Sequence, residues 1–168
     1  MKRFTFFSLF SLMVIAVYAQ ASISVFVSDE GPTNVRNKPK GDIAMQLPNE
    51  GSMCFLLEKP TNGWWKVVEL WDAEDEDNPT ATLHGSTTGE YWVHYSVVGI
   101  GTRNYGGERL TLREKPSAKA KAVYSFTDEI LLRPIDIKGS WVKVKAPNGK
   151  IGWIHEDWLC SNPLTNCC

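Results

Sequence analysis

Three short blocks of this chain occur twice in the same order, and that duplication limits the possible folds more than any other feature. Val35-Arg36-Asn37-Lys38-Pro39 is matched by Leu112-Arg113-Glu114-Lys115-Pro116. Gly63-Trp64-Trp65-Lys66-Val67-Val68 is matched by Gly139-Ser140-Trp141-Val142-Lys143-Val144, and Glu90-Tyr91-Trp92-Val93-His94 by Ile151-Gly152-Trp153-Ile154-His155. Such a period marks one small structural unit copied along the chain. The offset is 77 for the arginines, 76 for Trp65 and Trp141, and 61 for Trp92 and Trp153. The drop places an insertion in the first copy, assigned to residues 70–88, which carries Asp72, Glu74, Asp75, Glu76 and Asp77. The second copy has Ala146-Pro147-Asn148-Gly149-Lys150 at that junction, an Asn-Gly hairpin signal between two apolar runs.

The apolar pattern around these blocks has the period of half-buried strands. Trp141 to Lys145 alternates in its second half, and the pattern restarts at Ile151 after the turn. Residues 53–57 and 130–132 are short β-compatible runs that follow polar turns. No part of the sequence beyond the leader sustains an apolar stripe at helical spacing. The expectation is an all-β fold of short strands, closed into small barrels that protect their edges.

The chain begins Met1-Lys2-Arg3, runs apolar and acid-free over residues 4–18, and then reads Ala19-Gln20-Ala21. A basic start, a short apolar stretch and a small-x-small site predict a signal peptide at 1–21. The run falls short of the roughly 20 apolar residues of a membrane span, so no stable membrane insertion is expected after cleavage. No cysteine follows it until Cys54, so the lipoprotein signal is missing. About 147 residues remain, enough for two barrels of roughly 60 to 70 residues each, assigned to 22–101 and 102–168. Three of the four cysteines, Cys160, Cys167 and Cys168, lie in the last nine residues. Adjacent Cys167 and Cys168 would be strained if joined, so the expected disulfide runs from Cys160 to one of them and staples the tail.

With these blocks in view, the chain resembles the bacterial SH3 domain family. The family pattern is an apolar-x-Arg-x-x-Pro opening, a central Gly-x-Trp-x-x-Val strand and a closing Gly-Trp-Ile hairpin. The second copy matches through Leu112, Arg113, Pro116, Gly139, Trp141, Val144, Gly149, Gly152, Trp153, Ile154 and Leu159. The first copy departs from it, with Glu90-Tyr91 where the glycine before Trp92 is expected, and with the acidic insertion. The resemblance implies two small SH3-like β-barrels in tandem. It also implies a targeting or binding module of the bacterial envelope, periplasmic or secreted, which commonly recognises peptidoglycan or its stem peptides. Many members append the module to a wall hydrolase, and beside two barrels this chain has no room for such a domain. The expectation is therefore a binding protein without enzymatic activity. Its alternatives are an adaptor for an envelope protein and, ranked last, a cell-wall hydrolase.

The candidate ligand-binding residues are Trp64, Tyr95, Trp158, Arg36, Arg113, His94 and His155. Trp65, Trp92, Trp141 and Trp153 sit at matched positions and are assigned to the cores, since a small barrel draws much of its buried apolar area from a few large rings. Trp64, Trp71, Tyr91, Tyr95 and Trp158 exceed that need, and surplus aromatics on one face suit a carbohydrate or peptide groove. Partial burial between the copies would account for them equally well. His94 and His155 are equivalent by duplication, which fits a hydrogen bond at a hairpin end as well as a binding role. Arg36 and Arg113 either cover the barrel with their stems or pair with a ligand carboxylate.

Residues 22–101 hold five Lys and Arg against twelve Asp and Glu, a net of minus seven, whereas 102–168 hold eleven against seven, a net of plus four. The acidic stretch lacks the glycine and closing glutamate of a calcium-binding loop, so it reads as a solvated loop, and no metal or cofactor is expected. Cys54 lies within an apolar run, which predicts a buried thiol and not a nucleophile. Neither a Gly-x-Ser-x-Gly elbow nor an HExxH pair is present. Without a strong overall basic excess, nucleic acid is not an expected partner.

Overall fold

The computed structural model describes residues 21–47, 52–74 and 90–164. The first half contains β1 (Ser22–Val27), β2 (Thr33–Arg36), β3 (Ile43–Leu47), β4 (Met53–Thr61), β5 (Trp64–Asp72) and β6 (Tyr91–His94), followed by a single 3-10 turn (Tyr95–Val97). β7 (Val98–Thr102) leads into β8 (Leu110–Arg113), β9 (Ala122–Phe126), β10 (Leu131–Lys138), β11 (Trp141–Lys145) and β12 (Ile151–His155). A second 3-10 turn (Glu156–Trp158) and β13 (Leu159–Cys160) complete the order. Residues 1–20 of the signal peptide expected at 1–21, most of the acidic insertion, and Cys167 and Cys168 lie outside the described residues. No helix among the described residues is long and apolar enough to cross a membrane.

The strands form one open, all-antiparallel path, β3-β2-β6-β5-β4-β1-β7-β10-β11-β12-β8-β9, with β13 added onto β7. Each half repeats the same ladder. β2, β3, β4, β5 and β6 recur as β8, β9, β10, β11 and β12, and each copy ends in a 3-10 turn. The duplication also extends to strands that share no visible sequence. β1 pairs with β4 and, through Phe26↔Gly99 and Val27↔Val98, with β7. β7 pairs in turn with β10 and, through Gly101↔Cys160 and Thr102↔Leu159, with β13. β7 therefore closes the first copy and opens the second. A boundary between 101 and 102, as the sequence suggests, cuts through this shared strand. The insertion also starts later than residue 70: Leu70, Trp71 and Asp72 continue β5, paired with Phe55, Cys54 and Met53.

Alternation along the strands produces the core. In β5 the side chains of Trp65 and Val67 point inward while Trp64 and Lys66 point outward, and in β11 Val142 and Val144 point inward while Trp141 and Lys143 point outward. Val25, Val35, Phe55, Leu57, Trp65, Val93 and Val98 are fully buried in the first half, as are Leu112, Leu132 and Val144 in the second, and both sets belong to one apolar cluster. Polar links also cross between the copies. The Trp65 indole N–H donates to the Pro134 carbonyl at 2.9 Å in a buried setting. Arg133 donates to the Val98 carbonyl at 2.8 Å and to the hydroxyl and carbonyl of Ser28. No buried side-chain nitrogen or oxygen among the described residues is left without a partner, as a low-dielectric interior requires.

The strand register corrects the sequence alignment by one residue. Trp64 faces His94 across the β5–β6 ladder, and Trp141 faces His155 across β11–β12. Trp65 faces Val93 just as Val142 faces Ile154. The equivalent of Trp141 is thus Trp64, at the same offset of 77 as the arginines. Because side chains alternate with period two, a one-residue slip moves every side chain to the opposite face. Of the four tryptophans assigned to cores, Trp65 and Trp92 are buried, and Trp65 alone belongs to the apolar cluster. Trp141 and Trp153 are half-buried on the outer face, and Trp92, although only 8% exposed, lies on that face outside the apolar cluster.

Candidate functional site

Each copy presents an arginine, a tryptophan and a histidine on the outer face, positioned by three neighbouring strands. In the first, β2 brings Arg36 opposite Trp92 of β6, which lies opposite Lys66 of β5; one step along the same face Trp64 lies opposite His94. The Trp64 and His94 ring centroids are 5.1 Å apart, those of His94 and Tyr95 4.5 Å, and the Arg36 guanidinium lies 6.0 Å from the Trp64 ring. The second copy places Arg113 opposite Trp153, itself opposite Lys143, and sets Trp141 edge-on to His155 at 5.3 Å.

The histidines hold the 3-10 turns. His94 Nδ1 accepts from the Ser96 backbone N–H at 3.4 Å and lies 2.8 Å from the Ser96 hydroxyl oxygen. His155 Nδ1 accepts from the Asp157 N–H at 3.4 Å and lies 3.0 Å from Asp157 Oδ2, an ion pair when the ring is protonated. This capping satisfies a backbone donor that a one-turn helix cannot pair internally. Burial lowers the His94 pKa below the usual histidine value, so the neutral, accepting ring is favoured. The arginines have a matching structural task. Arg36 donates to the Gly41 carbonyl at 2.6 Å and Arg113 to the Ala120 carbonyl at 2.8 Å, tying each hairpin loop to its strand.

The two clusters differ in shape. The Tyr95 ring fills the space over Gly63, where an added Cβ would meet Tyr95 Cδ1 at 2.9 Å, so Arg36, Trp64, His94 and Tyr95 pack upon one another. At the position of Tyr95 the second copy has Glu156, whose N–H bonds the Ser140 carbonyl as that of Tyr95 bonds Gly63. There a cavity of about 360 Å³ opens, lined by Arg109, Arg113, Trp141, His155 and Trp158 among others. A second cavity of about 530 Å³ also borders Trp158 and Asp157, beside Tyr105 and Glu108. Both fall within the size range of small-ligand sites.

The seven sequence candidates thus divide into Arg36, Trp64, His94 and Tyr95 in the first half and Arg113, His155 and Trp158 in the second. Three further groove residues escape the sequence reading. The one-residue misalignment hides Trp141 in the core. Tyr105 and Arg109 lie in the β7–β8 loop, outside the repeated blocks, where the adjacent Gly106-Gly107 is the available turn signal.

Among the described residues, no group of three or more His, Cys, Asp or Glu side chains is placed to hold a metal ion. Cys54 is buried in β4 with its thiol directed to the Ser52 carbonyl at 3.5 Å. Burial, and secondarily the charge of Asp72, pushes its pKa up to about 11. At neutral pH it is a thiol, and thiolate is the nucleophilic form. Iodoacetamide at pH 7.5 is therefore expected to leave Cys54 unmodified in the native chain and to label it once urea unfolds the protein. Peptide mass mapping reads the result; rapid native labelling would contradict this burial.

Residues 108–159 match the family described as bacterial SH3 domain. The chain is 28% identical over 133 residues to the actin cytoskeleton-regulatory complex protein sla1 of Sclerotinia sclerotiorum, covering 72% of this chain and 9% of that protein. Among solved structures, NlpC1 from Trichomonas vaginalis aligns over 84% of this chain and 46% of its own at 14% identity, with a TM-score of 0.32. NlpC2 from the same organism aligns over 84% and 48% at 12% identity, with a TM-score of 0.33. The chain therefore spans a small piece of the curated relative and just under half of each solved structure.

Proposed function

We propose that the chain is an exported, non-catalytic binding protein built from two SH3-like barrels, and that it recognises peptidoglycan or its peptides. The observation that carries this reading is the bacterial SH3 match over residues 108–159, which spans the strands and the second 3-10 turn that frame the Arg113, Trp141 and His155 groove. Aromatic faces with a charged edge suit such ligands, because flat rings give apolar area while the guanidinium orients a carboxylate. Export is supported by the basic start, the apolar run and the small-x-small site at 1–21.

The mature chain incubated with purified sacculi should co-sediment, and retention should persist from low to physiological salt, because the ring contacts are only weakly screened. Recovery of all the protein in the supernatant at every salt concentration would overturn the proposal. The similarity to part of a protein named for a regulatory complex supports a second reading, an adaptor that docks a protein partner in the envelope. In that case sacculi retain nothing, while an envelope extract yields a partner that the mature chain captures.

A further inference from the structure

The β7–β8 loop and Trp158 create a feature that the repeated blocks lack: two cavities that share Trp158 and Asp157, one lined also by Arg109 and Arg113 and the other by Arg103 and Glu108. We propose that this groove in the second half is the chain's ligand site and that it takes a short peptide carrying a free amine at one end and a free carboxylate at the other. The inference rests on the wall-binding reading above and specifies its site and ligand class.

Trp158 and Asp157 line both cavities, so the two adjoin as parts of one site. The smaller end carries Arg109 and Arg113. Arg113 spends one guanidinium N–H on the Ala120 carbonyl, whereas Arg109 is exposed at the rim. Two guanidinium groups at one end select a carboxylate, with which they form charge-assisted bonds. The larger end holds Tyr105, 57% exposed, with the carboxylates of Glu108 and Asp157, which suit an ammonium group. Arg103 also lines this end, and its Nε donates to the Asp157 carbonyl at 2.6 Å. Trp141 in the smaller cavity, Tyr105 in the larger and Trp158 in both offer ring surface to the apolar parts of a peptide.

The loop is rigidly supported. Asn104, only 9% exposed, donates to the Glu108 and Thr127 carbonyls at 2.7 and 2.6 Å, and its Oδ1 accepts the Glu108 N–H at 2.8 Å. Its own N–H donates to Glu129 at 3.0 Å. The backbone of the loop is therefore held at Glu108 before a ligand arrives, which lowers the ordering cost of binding. The first copy cannot reproduce the groove. By strand register Glu30 stands for Tyr105, Pro32 for Arg109 and Val97 for Trp158.

The test is calorimetric titration of the mature chain with the tripeptide Lys-Ala-Ala as the free acid, as its C-terminal amide and as an Nα,Nε-diacetyl derivative. The free acid is expected to bind about tenfold more tightly than either, the loss that follows from removing one charge-assisted bond. Arg109→Ala should erase the preference for acid over amide, and Arg109→Lys should restore part of it. Tyr105→Ala should weaken the free acid about tenfold, and Glu30→Ala should leave it within twofold. Both wild-type residues Tyr105 and Arg109 are exposed, so unchanged circular dichroism is expected for their variants. Equal affinity for acid and amide, or an Arg109→Ala variant that keeps the preference, overturns the inference. Sacculus retention alongside such a result leaves wall binding standing and this groove rejected; absence of retention rejects wall binding itself.

Discussion

Trp65→Ala lowers the unfolding free energy by about 3–5 kcal/mol, the usual cost of truncating a fully buried tryptophan, and urea denaturation should show it as a lower midpoint with an unchanged slope. Trp65 is 0% exposed and donates to the Pro134 carbonyl across the junction of the copies. The loss therefore combines a core cavity with an orphaned carbonyl. Trp65→Phe separates the two terms, because it refills most of the volume but leaves Pro134 without its donor, at a cost of about 1–3 kcal/mol. Trp141→Ala, on the outer face of the other copy, should cost much less. Equal losses at the two positions would mean that they are structural equivalents after all.

The second large effect concerns the shared strand. A fragment beginning at Thr102 is expected to remain unfolded, because β10 loses its pairing to β7, β13 keeps only its pairing at Thr102, and the core loses Ile100, 3% exposed in the intact chain. A fragment beginning at residue 97 should recover dispersed amide resonances. Folding of the shorter fragment would show that each copy is self-sufficient and that β7 belongs to the first alone. For the intact chain the same sharing predicts a single cooperative transition, with probes in both halves reporting one midpoint.

The strands were legible because exposed and buried residues alternate so regularly, as in Trp141 to Lys145, and the duplication was legible because Arg36, Trp92 and His94 have counterparts in order. What could not be read was phase. Trp64 and Trp65 are adjacent, either can be matched to Trp141, and the choice reverses which ring faces the core. The arginine offset of 77 already favoured Trp64. Strand sharing was hidden for a different reason: β1, β7 and β13 are equivalent by their partners and not by their residues, since the backbone ladder is indifferent to side-chain identity. Of the site, the residues on strands and on the turn that follows them were found through the repeat. Tyr105 and Arg109 were missed because a search for what recurs passes over a loop that occurs once. The aromatic cluster of the first half was found but is filled by its own Tyr95, a packing outcome that composition cannot reveal.

If recognition belongs to the second half, as proposed, its residues alone respond to a ligand. Amide chemical-shift mapping of residues 22–168 during titration with soluble muropeptides reads that response. Perturbations are expected to concentrate in residues 103–118, at Trp141 and through residues 153–158, leaving Trp64, His94 and Tyr95 unmoved. Shifts centred on Trp64, His94 and Tyr95, or a spectrum that saturating muropeptide leaves unchanged, would contradict it.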